Sequence, residues 1–181
     1  MTRLEQLDPA TATGRSKELL DSVQLKMGRV PNIFKYMANS PAALEGYLNF
    51  GGALANGLLD AQLRERIAIV VAETHHCQYC LSAHVALGKM AGLSEAEIKN
   101  AREIHSSDPK AAAALSFVRN LLLRRHELPE SEVEALKQAG FSDGEIAEII
   151  ANTALNWYTN FFNLITKPEI DFPKVELAFP L

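Results

Sequence analysis

Cysteine is scarce. The chain of 181 residues holds only Cys77 and Cys80, so a scaffold stapled by many disulfides is excluded. A compact domain of this length buries roughly 70% of the surface its unfolded form exposes, and needs no staple to fold. An excess of positive charge is also missing. Eighteen Lys and Arg stand against 22 Asp and Glu, for a net charge of −4. No basic run could track a phosphate backbone, so nucleic acid is not an expected partner. Long hydrophobic runs are absent too: the longest near the cysteines is Ile67–Ala72, far short of a bilayer span. The first ten residues lack the apolar segment of a leader. The expectation is a cytoplasmic protein with no membrane partner.

Strand signals are equally sparse. No stretch sustains alternation of apolar and polar residues, and the one Asn-Gly pair, Asn56-Gly57, closes a helical pattern. With 48% apolar and 22% charged residues, and no composition shift to mark a boundary, residues 1–181 read as a single all-α domain, a helical bundle.

Helix signals fill the chain. Ser40-Pro41 and Asp108-Pro109 each place a capping residue before a proline suited to a first turn. Ala91–Ile98 and Ala139–Ile146 share a pattern, each with a capping box (Ser94 with Glu97, Ser142 with Glu145) and a hydrophobic staple (Leu93 with Ile98, Phe141 with Ile146). Convergent capping or an internal duplication would both produce it. Beyond the second box, Ile146, Ile149, Ile150, Thr153, Ala154, Trp157, Phe161 and Leu164 recur at helical spacing, as core or oligomer interface. Asn152, Asn156 and Asn160 form a polar row read as a solvated or interface face. A Pro31-Asn32 turn separates an N-terminal arm and helix (residues 1–27) from the rest. The tail 167–181 carries Pro168, Pro173 and Pro180 among Phe172, Val175, Leu177 and Phe179, so it is expected to be non-helical and docked.

The chemistry concentrates between Glu73 and His84. In a helix starting near Cys77, the residues Cys77, Cys80 and His84 share one face. His84 lies about 6 Å beyond Cys80 along the axis and about 10.5 Å beyond Cys77, so its imidazole serves Cys80 better. A neutral imidazole is a suitable acceptor for a thiol proton, and the thiolate is the reactive form. The base favours Cys80 as nucleophile, whereas the helix dipole favours Cys77; Cys80 is taken as the nucleophile. Residues three apart in a helical turn can close a disulfide.

Asp60–Glu73 reads as a preceding helix, and Thr74-His75-His76 is long enough to turn it into an antiparallel partner. Centring the turn at Thr74–His75 puts Glu65 opposite His84. A relay results in which carboxylate orients imidazole, imidazole deprotonates thiol and the second thiol resolves. Glu73 is a rival carboxylate whose bland role is a solvated helix end. His75 and His76 are read as turn residues, and His105 and His126 as surface residues near helix ends.

Glu65, Cys77, Cys80 and His84 reproduce the spacing Glu-x11-Cys-x2-Cys-x3-His, and so the chain resembles the AhpD-like alkylhydroperoxidases of the carboxymuconolactone decarboxylase superfamily. The resemblance also takes in Gly28–Phe50 and the segment GFSDGEI, and is closest to the peroxidase-related members. It implies an all-helical AhpD-like fold in which Cys80 reduces a hydroperoxide through a sulfenic acid to a disulfide with Cys77. Glu65 and His84 would be the proton relay, and no cofactor or metal is implied. An external thiol or dithiol reductant, lipoyl-linked in the best-known members, would restore the pair. Assembly into dimers, trimers or hexamers is also implied. The chain departs from AhpD in having Tyr79 where a histidine precedes the second cysteine. Tyr79 would hydrogen-bond at the site or pack, with packing favoured. Three other readings compete: a zinc site of Cys77, Cys80, His84 and His75 or His76, lactone decarboxylation, which no residue marks, and inert buried cysteines.

Overall fold

Helix formation follows the capping chemistry almost position by position. The structure, a computed structural model, describes residues 3–124 and 127–178. His126, Phe179 and Pro180 lie outside the described residues. Among those described there are nine α-helices and no strand: α1 (Gly14–Met27), α2 (Asn32–Met37), α3 (Pro41–Ala55), α4 (Ala61–Thr74), α5 (Gln78–Met90), α6 (Glu95–Arg102), α7 (Pro109–Arg124), α8 (Glu130–Gln138) and α9 (Asp143–Thr166). The Ser40 side chain accepts from Ala43 N–H, Asp60 from Leu63 N–H and Asp108 from Lys110 N–H, so three helix starts have a donor satisfied by a short polar side chain. Both capping boxes form in full at Ser94 and Ser142. Pro31 does more than turn the chain, since it is the N-cap of the short α2.

Helix α4 is the axis of the molecule. Ile67 through Ala72 are all essentially inaccessible, the burial expected of a helix apolar on every side. It packs against α5, α6, α7 and α9. Its two buried charges both reach α6: Arg66 pairs with Glu97 and Glu73 with Arg102. Among the described residues no helix is long and apolar enough to cross a membrane.

The α9 stripe divides. Ile146, Ile149 and Thr153 are buried, whereas Ile150, Trp157, Phe161 and Leu164 are exposed. The asparagine row runs against expectation. Asn152, Asn156 and Asn160 are buried, and each folds its side-chain amide back onto the carbonyl four residues earlier: Glu148, Asn152 and Asn156 respectively. A row of carboxamides can enter the interior because the helix's own carbonyls supply acceptors for their N–H groups.

After α9, the described chain from Lys167 to Ala178 is non-helical and lies against α2 and α5. Asp171 accepts from Asn32 N–H and from the Tyr79 hydroxyl. Gln78 donates to the Val175 carbonyl, and Val175 N–H donates to the Ser82 hydroxyl. Arg102 donates to the Glu176 carbonyl.

Candidate active site

The α4–α5 hairpin builds the site. His75 N–H and Cys77 N–H bond back to Val71 and Ala72, and His76 reverses the chain with φ 54°. Cys77 is thereby the N-cap of α5, its sulfur accepting from Cys80 N–H at 3.4 Å. The two cysteines, both 2% exposed, are joined as a disulfide with Cα atoms 5.3 Å apart, within the range such a bridge allows.

One turn beyond Cys80, His84 Nδ1 lies 2.8 Å from Glu65 Oε2. With the carboxylate ionised, Nδ1 carries the proton and donates it, leaving Nε2 as the acceptor. Close approach of the helices makes this contact possible. At Gly88, one turn past His84, an added Cβ would sit 3.7 Å from Glu65 Cβ and only 3.1 Å from a Leu93 methyl. Both residues of the pair are about one-fifth exposed, so the interaction is shielded without being sealed off.

Glu65, Tyr79, Cys80, His84 and Asn163 share the lining of a cavity of about 450 Å³. Its apolar wall includes Ile33, Phe34, Leu48, Leu155 and Phe172. Cys80 is among the lining residues and Cys77 is not. This mixture of apolar wall and few converging polar groups is what a small-molecule site requires.

Tyr79 both bonds and packs. Its hydroxyl donates to Asp171 Oδ1 at 2.7 Å and accepts from Ile33 N–H at 3.3 Å, while its ring meets Phe172 edge-on. Burial and the bond to Asp171 raise its ionisation well above the usual phenol range, so it stays a neutral donor. Burial and the Glu65 carboxylate push the Tyr47 hydroxyl up to about 12. Tyr47 lines the same cavity.

Several expectations need correction. Glu73 is not a solvated helix end and does not line the cavity. Its carboxylate is taken up by Arg102 and by Ala178 N–H, so the hairpin brings Glu65, not Glu73, to the imidazole. The zinc arrangement is not assembled either: among the described residues no three of His, Cys, Asp and Glu converge as metal ligands, and the His75 ring meets the Phe161 ring at a tilt of 55°. Sequence reasoning missed Asn163, whose Nδ2 lies 3.2 Å from Cys80 Sγ. The signal was available, since Asn163 follows Asn160 by three on the asparagine row. Asp171 had none, because nothing in a proline-rich tail points to its docking partner.

Comparison with known proteins agrees with this architecture. The model of the Carboxymuconolactone decarboxylase family matches residues 41–120, which contain Glu65, Cys77, Cys80 and His84. A peroxidase-related protein from Ralstonia eutropha JMP134, described as an alkylhydroperoxidase AhpD core, shares the fold with TM-score 0.84 and 24% identity, covering 94% of this chain and 92% of that one. The debrominase Bmp8, as a single-residue variant in complex with 2,3,4-tribromopyrrole, shares it with TM-score 0.81 and 18% identity, covering 94% of this chain and 92% of that one. An uncharacterized protein of Haemophilus influenzae is 49% identical over 45 residues, which span 24% of this chain and 40% of the relative.

Proposed function

We propose, from the match of residues 41–120 to the Carboxymuconolactone decarboxylase family model and the likeness in fold to an AhpD core, that the chain is a thiol-dependent enzyme reducing organic hydroperoxides. The observation that carries the reading is the convergence on one cavity of Cys80 and an imidazole already oriented by a carboxylate.

In the reduced protein, His84 Nε2 takes the Cys80 thiol proton while Glu65 holds Nδ1–H and stabilises the imidazolium. The thiolate attacks the terminal peroxide oxygen and the O–O bond breaks. The alkoxide leaves as an alcohol with the proton returned by His84, and Cys80 becomes a sulfenic acid. The Cys77 thiol then attacks the Cys80 sulfur, its proton leaves with the hydroxyl as water, and the disulfide forms. An external dithiol, of the kind a lipoyl group supplies, returns two electrons and two protons by exchange through a mixed disulfide. The apolar wall favours alkyl or aryl hydroperoxides over hydrogen peroxide. The Bmp8 likeness, at 18% identity, carries no substrate to this chain. Self-association belongs to the same reading, and Trp157, Phe161 and Leu164 offer exposed apolar surface for it.

Titration of thiols before and after cumene hydroperoxide tests the proposal. The expected result is loss of both thiols per chain, recovered with dithiothreitol. Cys80→Ser should abolish turnover, and Cys77→Ser should leave a sulfenic acid that dimedone traps. Failure of Cys77→Ser to oxidise would reverse the order of attack.

A further inference from the structure

Asn163 behaves unlike the asparagines before it on α9. Asn152, Asn156 and Asn160 each donate to a carbonyl of their own helix. Asn163 instead donates across the molecule to the Cys80 sulfur, 83 positions away in sequence, at 3.2 Å. The residue is 4% exposed, and its carboxamide oxygen is buried with no hydrogen-bond partner. A buried amide acceptor left empty costs stability, and this one sits on a residue lining the cavity beside the reacting sulfur.

We infer that Asn163 is a catalytic residue of the site: its amide N–H holds the Cys80 sulfur as the thiolate, and its free oxygen receives the O–H of the incoming hydroperoxide. The two halves are one device. An N–H donor strengthens when its acceptor becomes an anion, so the contact favours the reactive form of the thiol over the neutral one. The carboxamide oxygen can accept only from a group that brings its own hydrogen, and a hydroperoxide O–H does so while ethers, ketones and dialkyl peroxides do not. Anchoring that O–H beside Cys80 brings the terminal oxygen to the sulfur, an orientation effect rather than a new chemical step.

The inference rests on the peroxidase reading but is tested apart from it. With Cys80 isolated in a Cys77→Ser background, whose serine keeps an N-cap oxygen, the pH profile of iodoacetamide alkylation reports the Cys80 thiol directly. Asn163→Ala should move its midpoint upward by about one pH unit. Asn163→Asp, which keeps shape but puts a carboxylate beside the sulfur, should move it further in the same direction. At a pH where the thiol is fully ionised in every variant, oxidation of Cys80 by cumene hydroperoxide should still be about tenfold slower in Asn163→Ala. If the Cys77→Ser chain with Asn163 intact is itself inert to hydroperoxide, the assignment of Cys80 as the attacking thiol fails, while the alkylation profile still judges the hold on the sulfur. Unmoved midpoints, or equal rates at full ionisation, overturn the inference. Should neither variant fold, the side-chain amide proton of Asn163 in the otherwise unaltered chain serves instead. It should shift downfield as Cys80 ionises, and a resonance that ignores the titration overturns the inference.

Discussion

At the scale of residues, two glutamates of α4 have opposite fates, and the difference is angular. Glu65 and Glu73 lie eight positions apart, yet one faces α5 and the other α6. Glu65→Gln keeps an acceptor for His84 Nδ1–H but removes the charge that stabilises an imidazolium, so thiol oxidation near neutral pH should slow by about tenfold or more, with little change in melting temperature. Stopped-flow thiol consumption measures the first effect and calorimetry the second; an unaltered rate would take Glu65 out of the relay. The Glu65–His84 pairing was legible in the sequence because a helical hairpin with a short turn fixes which positions face each other. The contact of Asn163 with Cys80 was not, because its register depends on how α9 crosses α5, and no local spacing encodes a crossing between helices so far apart in the chain.

At the scale of elements, helix starts were the most legible feature, since capping is written in four adjacent residues. Both capping boxes, and the prolines at Pro41 and Pro109, lie where the sequence puts them. The second box also has an electrostatic consequence. The Lys110 ammonium first, and then Ser142 N–H, hold the Glu145 carboxyl down at about 2 from an ordinary 4.5. A carboxyl whose folded value lies below its unfolded one adds stability above the unfolded value, and that stability fades as pH falls through 4.5 towards 2. Ser142→Ala, which removes the cap oxygen, should cost about 1 kcal/mol at neutral pH. Glu145→Gln should flatten the loss of stability between pH 4.5 and 2, read from urea midpoints across that range. The asparagine row was misjudged for a related reason: polarity in a sequence does not reveal that a helix can supply acceptors for the N–H groups of its own buried amides.

At the scale of the whole molecule, the segment after α9 ties distant parts together. Asp171 touches the start of α2, through Asn32 N–H, and the cysteine-bearing helix, through Tyr79. Asp171→Ala would leave the largely buried Tyr79 hydroxyl without its acceptor, a loss of about 1–3 kcal/mol. In a chain of this size each kcal/mol is worth about 2–4 °C of melting temperature. A scanning calorimetry trace unchanged by the substitution would mean the tail rests on the fold without supporting it. The apolar, proline-punctuated sequence announced that this segment docks, but its partners are set by a surface that exists only once the helices have assembled.

The lining of the cavity carries a kinetic corollary. On the proposed function, because Cys80 lines that space and Cys77 does not, oxidant and electron donor would address the same atom from the same cavity. The two half-reactions would then alternate in ping-pong fashion, each visitor departing before the next is admitted, and a crowd of either one would obstruct the other.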